Sequence, residues 1–246
     1  MKVGVVAEGP SDVAVVLNIL FGKLGVERRD IVPIRPELTT DETDLSEKRA
    51  GGYKPPSKKS FSNWQLVLGE CADRTSLSDF LDSPIDEPRL LVVQIDTAEA
   101  HLAGFDVARP DHDAGDYVAE MRSRVVAKLA ALLGEDLTPR TRFAVAVEEI
   151  DAWVLTLYAE DGEETGRVKN PKKKLEFALS SAPVPRSKSR SPSGRGATKS
   201  GDRPAKKSLF ELYHERSAPL RDGATLETCK QRNRSLAMFV DSLAGD

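Results

Sequence analysis

The stretch Val3-Gly4-Val5-Val6-Ala7-Glu8-Gly9-Pro10-Ser11-Asp12 decides how this chain is read. Its first five residues are a short, continuous, β-branched apolar run, the kind that fills a strand buried on both faces. Gly9 and Pro10 interrupt the run, and Val13, Val16, Leu17, Leu20 and Phe21 then recur at helical spacing. The pattern predicts a strand, a tight turn and an amphipathic helix, with Ser11 as the helix N-cap and the acids Glu8 and Asp12 flanking the turn.

Working outward, the same texture recurs. Residues 31–34 form a second short apolar run. Leu90-Leu91-Val92-Val93-Gln94-Ile95-Asp96 is the strongest buried-strand signal, and Phe143-Ala144-Val145-Ala146-Val147 is another. Between them, the apolar residues from Trp64 to Leu81 fit one or two helices broken near 74–76, and Val118, Met121, Val125, Leu129, Leu132 and Leu133 mark a further amphipathic helix. The polar segments 35–62 and 96–115 read as long loops. Strands alternating with helices predict an α/β fold, doubly wound, with a mostly parallel sheet covered by helices on both faces. This core spans 1–160. Residues 161–246 read as a helical C-terminal extension, with helices near 171–179, 206–215 and 226–243 and a basic flexible linker over 183–205.

Composition sets the outer bounds. The chain has 246 residues, 39% hydrophobic and 30% charged, enough for a sizeable core without disulfide staples. No apolar run approaches the roughly 20 residues that cross a bilayer, and the N-terminus lacks a signal-peptide layout. The expectation is a soluble, cytoplasmic protein that makes no use of a membrane, with its oligomeric state left open. Cys71 and Cys229 are far apart with no CxxC spacing, so buried reduced thiols are expected. The absence of GxxxxGK[ST] and GxGxxG sequences leaves intrinsic ATP binding of the P-loop kind unsupported.

The net charge of −3 conceals a split. Residues 183–207 carry eight Lys or Arg against the single acid Asp202, a local balance of +7 that leaves −10 for the rest. Those acids are not scattered. Three apolar strands each end in carboxylates: Glu8 and Asp12, then Asp96 and Glu99, then Glu148, Glu149 and Asp151. In a parallel sheet these ends share one edge, where ligands bind. Any one cluster alone would suit a helix cap or first turn. Three clusters on three core strands point instead to a divalent cation, because gathered carboxylates repel one another and hard oxygen ligands suit Mg²⁺ or Mn²⁺. The candidate metal ligands are therefore Glu8, Asp12, Asp96, Glu99, Glu148 and Glu149.

Cations are available to meet phosphates. Lys172, Lys173 or Lys174 could neutralise charge on a reacting phosphoryl group, with Lys172 the candidate catalytic residue beside Glu8 and Asp96. Lys54, Lys58 and Lys59 in the first loop, and Arg186, Lys188, Arg190 and Arg195 in the basic linker, are candidate nucleic-acid contacts. His101 and His112 read as solvated loop residues, His214 as exposed or packed, and Trp64 and Trp153 as core.

The pattern strand, Glu8-Gly9-x-Ser11-Asp12, helix, and then a second strand ending in Asp96 resembles the Toprim domain of topoisomerases, primases and the overcoming-lysogenization-defect nucleases. The resemblance covers about 1–158. It extends to a bacterial family of Toprim-like proteins through Glu148-Glu149-Ile150-Asp151-Ala152-Trp153, Lys172-Lys173-Lys174 and Ser235-Leu236-Ala237-Met238-Phe239. It implies that Glu8 is a metal ligand or general acid/base and that Asp96 is the first aspartate of an Asp-x-Asp pair. Ala98 stands where the second aspartate belongs, with Glu99 one residue on. Either Glu99 substitutes as a longer ligand, or the protein is a non-cleaving relative. The resemblance also implies an ATPase partner in phage defence.

Three functional classes follow as expectations. The first is a Mg²⁺- or Mn²⁺-dependent nuclease that hydrolyses phosphodiester bonds in DNA or RNA. The second is a non-catalytic subunit that binds nucleic acid or an ATPase partner on a degenerate Toprim fold. The third is a phosphohydrolase or phosphotransferase acting on a small molecule, since the same acidic edge suits any phosphoryl transfer.

Overall fold

β1 (Lys2–Val6) lies inside a sheet, between β2 (Ile31–Arg35) and β3 (Arg89–Asp96), and β4 (Thr141–Ala146) completes the order β2-β1-β3-β4. All three pairings are parallel. The computed structural model describes residues 1–36, 63–111, 115–160, 162–181 and 207–244. Lys54, Lys58, Lys59, Arg186, Lys188, Arg190, Arg195 and His112 lie outside the described residues. The register sets Val6 beside Val93 and Asp96 beside Ala146, so the segments leaving the three longest-buried strands emerge along one edge.

Alternation along the strands builds two cores. Val3 and Val5 join Val92, Ala144 and Ala146 on one face; Val6 joins Leu91, Val93, Ile95, Phe143 and Val145 on the other. The second face is covered by α2 (Asn63–Asp73), α3 (Thr75–Leu81) and α4 (Tyr117–Leu137). The break expected near 74–76 is Arg74, which takes a left-handed φ of 64° between α2 and α3. The segment 97–111, expected as a polar loop, buries Ala100, Phe105 and Val107 in this core, with Phe105 stacked on Trp64 at 5.3 Å. Its few apolar residues lack periodicity, which hid their burial.

The first face is covered by α1 (Pro10–Leu24), α5 (Asp151–Leu155), α6 (Pro171–Ser181), α7 (Leu209–Arg216), α8 (Gly223–Arg232) and α9 (Arg234–Ser242). Ser11 does not cap α1. Gly9 is the N-cap in extended backbone, and Pro10 takes the first helical position, where a missing N–H loses no bond and the ring presets φ. The helix expected over 206–215 starts at Leu209, after the Ser208–Glu211 capping box, and the one over 226–243 is two helices meeting at Asn233, whose Oδ1 accepts the Leu236 N–H at 3.0 Å. Both cysteines are buried and free. No described helix is long and apolar enough to cross a membrane.

The C-terminal helices share one apolar cluster with β1, β3, β4 and α1. Two features of α1 fix that docking. Buried Asn18 donates to the His214 carbonyl at 2.9 Å and the Ser217 hydroxyl at 2.7 Å, and its Oδ1 accepts from Arg221 Nε at 2.6 Å. Gly22 lets the helix touch the 3₁₀ turn Ala218–Arg221 directly: a Cβ there would lie 2.5 Å from the Arg221 carbonyl oxygen. Gly22→Ala should therefore lower stability by about 1–3 kcal/mol, the usual cost of overpacking. Chemical denaturation reads this; an unchanged midpoint would contradict the direct contact.

Candidate functional site

The ends of β1 and β3 are stitched together by two hydrogen bonds, and a third lies within β3. Glu8 Oε1 accepts the Asp96 N–H at 2.7 Å, Gln94 Oε1 accepts the Glu8 N–H at 3.1 Å, and Gln94 Nε2 donates to Asp96 Oδ1 at 2.8 Å. The Asp96 carboxylate also accepts from the backbone of Ile150, which brings in the turn between β4 and α5. Asp12, buried in the first turn of α1, is held by backbone N–H groups of Gly9 and Asp12 and by Ser11 Oγ at 3.4 Å. Asp151 opens α5, is buried, and accepts the Tyr213 hydroxyl at 2.6 Å.

α5 is only five residues long, so its placement depends on anchors outside it. Trp153 supplies them: its Nε1–H donates to Ser235 Oγ at 2.8 Å, and its ring stacks on Phe239 at 5.6 Å. Ser235 in turn donates to Asn233 Oδ1 at 2.9 Å. The Ser235-Leu236-x-x-Phe239 motif therefore grips the helix that carries Asp151.

Electrostatics shows which acids share a field. Burial pushes Glu8 up to about 8; the Asp96 N–H opposes the rise, and the charges of Asp12 and Glu99 add to it. Burial likewise raises Asp12 to about 7, with the charge of Asp151 contributing. Asp96 is held well above the usual carboxylate range by burial and by Glu8, Asp12 and Asp151. Asp151 and Glu149 are raised as well, chiefly by burial. Burial and Asp151 raise Tyr213, which keeps its hydroxyl as a donor.

Of the acids singled out from sequence, Glu8, Asp12 and Asp96 come together, with the charge of Glu99 acting on Glu8 and Glu149 acting beside Asp151. Glu148 faces elsewhere. Its backbone sits at φ 65° and its side chain lies 3.7 Å from Arg109 Nη1. Among the lysines, Lys172 comes to the site: its backbone donates to Glu149, and its charge favours the ionised forms of Glu149 and Asp151. Lys173 and Lys174 line a separate cavity with Tyr158 and Phe177. His101 is exposed, and His214 packs against Phe210 at 5.2 Å, away from the acids.

No protein-family model, curated protein or solved structure matches this chain.

Gln94 and Tyr213 are the residues that sequence reading missed, and Asp151 was seen at a strand end without being placed among the ligands. Gln94 carried a signal, as the one polar residue inside Leu90–Ile95. Among the described residues, no group of three or more His, Cys, Asp or Glu is arranged to hold a metal ion. The carboxyls are turned onto protein donors instead. The donor set nevertheless suits a hard cation: it is all oxygen, and its mutual repulsion is relieved by a proton or by a divalent ion in exchange for that proton.

The sign of the pH effect follows. Folded-state values of about 8 for Glu8 and about 7 for Asp12 exceed the ordinary 4.5 and 3.8. Their stabilisation is therefore complete below the ordinary values and is lost as pH rises through 7 to 8. In EDTA, the melting temperature of the native chain should fall between pH 5.5 and pH 8 more than that of Glu8→Gln, and Mn²⁺ in place of EDTA should restore it more at pH 8 than at pH 5.5. Superimposable curves for the two proteins would contradict the shared field.

Proposed function

We propose that this protein is a Mg²⁺- or Mn²⁺-dependent phosphodiesterase acting on nucleic acid. The observation that carries the reading is the convergence of Glu8, Asp12, Asp96 and Asp151 where the parallel strands end, the place at which open α/β sheets bind ligands. The Toprim resemblance points the same way, since the strand–Glu8–turn–helix unit and the strand ending in Asp96 are adjacent and parallel here. Glu99, whose charge acts on Glu8, is the residue available in place of the aspartate that Ala98 lacks.

On this reading Glu8, Asp12, Asp96 and Asp151 hold the cation, with Glu99 and Glu149 at its margin. A cation held there would supply Lewis-acid polarisation of a phosphoryl oxygen and a lowered pKa for a bound water. The Toprim resemblance implies that Glu8 is a ligand or the general acid/base, and in the latter role it would take the proton of the attacking water. Asp96, braced by Gln94 and by the Ile150 backbone, orients the set. Tyr213 fixes Asp151, and Lys172 offsets the negative charge that would repel substrate. The ATPase partner and a role in phage defence rest on the resemblance alone.

A second reading, a non-cleaving binding subunit, is favoured by Ala98, which stands where the resemblance places the second aspartate. Incubation of supercoiled plasmid and of labelled single-stranded DNA and RNA with Mn²⁺ or Mg²⁺ separates the two. Cleavage that Glu8→Gln and Asp96→Asn reduce by about 10²-fold or more, at unchanged melting behaviour, is the expected result. Metal-independent cleavage, or none with any substrate, contradicts the nuclease.

A further inference from the structure

An acidic edge repels a polyanion, so a protein that works on phosphate esters there needs cations beside it. The basic linker foreseen for that task lies outside the described residues, but a second source is built into the fold. A cavity of about 330 Å³ is lined by Arg109, Tyr117, Glu148, Arg167, Lys169 and Asn170. It holds three cationic side chains against one acid, whereas the edge next to it holds acids.

The two sites share a wall. The N–H groups of Thr97 and Ala98, directly after Asp96, donate to the Glu148 carbonyl at 3.1 and 3.0 Å, and the Glu148 N–H donates to Thr97 Oγ1 at 2.9 Å. Arg109 Nη2 donates to the Ala98 carbonyl at 2.7 Å. The cavity therefore sits against the backbone that joins Asp96 to Glu99 and Glu148 to Glu149. Its floor is preset: Tyr117 is buried at the start of α4, with the Arg167 guanidinium 5.3 Å above its ring. Glu148 and Asn170, both lining the cavity, hold left-handed backbone, at φ 65° and 53°, a conformation that non-glycine residues keep where the surroundings enforce it. Arg109, Arg167 and Lys169 are exposed at the rim, within reach of a group carried on a larger molecule.

The geometry points to this cavity as the seat of a phosphate group of the substrate, held by Arg109, Arg167 and Lys169 next to the carboxylates. The guanidinium forks suit the two free oxygens of a phosphate ester, and the volume suits one phosphate with its attached sugar. The Arg109–Glu148 contact is long at 3.7 Å, so an arriving phosphate competes with Glu148 for that guanidinium. The assignment rests on the phosphodiesterase reading for the identity of the substrate, but the phosphate seat itself can be tested separately.

The test uses the full chain in EDTA, with fluorescence anisotropy of a labelled oligothymidylate and with inorganic phosphate as competitor. Arg167→Gln and Lys169→Gln should each weaken oligonucleotide binding about 10-fold at low salt and lower the salt slope by about 0.7, the value for one single-strand phosphate contact. Phosphate should displace the oligonucleotide from the native chain but not compete further in the double variant. Phosphate binding by calorimetry that the double variant loses, with no salt-dependent oligonucleotide binding, would assign the seat to a small phosphate ester. Lys169→Glu, at the exposed rim, guards against misfolding of the double variant and should bind more weakly than Lys169→Gln, with an unchanged melting curve. Equal affinity for both probes in the native chain and the double variant overturns the seat, and Mn²⁺-dependent cleavage by that double variant at native KM would leave the nuclease standing without it. Loss of phosphate affinity in the double variant, where the native chain cleaves nothing, keeps the seat and removes the nuclease.

Discussion

The buried Gln94 amide ties the end of β1 to the end of β3. A strand buried on both faces has little reason to carry an amide, and this one is fully buried. Both ends of the amide are used, one accepting from the Glu8 backbone and the other donating to the Asp96 carboxylate, while Glu8 accepts from the Asp96 backbone. The arrangement satisfies polar groups that would otherwise cost on the order of 1–3 kcal/mol each. It also forces two acids from neighbouring strands into one low-dielectric space. Burial is the main cause of the raised proton affinities there, and the neighbouring carboxyl charges add to it.

A second constraint comes from the opposite end of the chain. Asp151 belongs to a helix too short to hold itself, and its position is set by Trp153, Ser235 and Phe239 on one side and by the Tyr213 hydroxyl on the other. The C-terminal helices thus do more than extend the fold. They close the first face of the sheet and complete the acid cluster, and Asn18 and Gly22 are the points on α1 that let them dock.

The strands and their parallel order were legible because β-branched runs ending in Gly, Pro or acids leave few alternatives. So was the sharing of one edge by Glu8 and Asp96, since register in a parallel sheet carries strand ends together. What escaped was whatever depends on side-chain direction. Glu148 and Glu149 are adjacent, yet the left-handed backbone at Glu148 turns it toward Arg109, away from the acids. Tyr213 lies 62 residues from Asp151 in sequence, and no spacing rule links them. Ser11 looked like a cap because its type is right, but Pro10 takes the first helical position and Gly9 is the N-cap, two residues earlier. Basic residues spread over Arg109, Arg167 and Lys169 make no run, so the cavity they form could not be seen beside the conspicuous charge at 183–207.

The central claim is that the buried carboxyls exchange protons for a divalent cation. Calorimetric titration of Mn²⁺ into the native chain at pH 7.5, repeated in buffers of different ionisation enthalpy, measures both binding and proton release. Saturable binding with protons released to the buffer is expected, with loss of both in Glu8→Gln with Asp96→Asn. Saturable binding without proton release, or no binding at all, would contradict it.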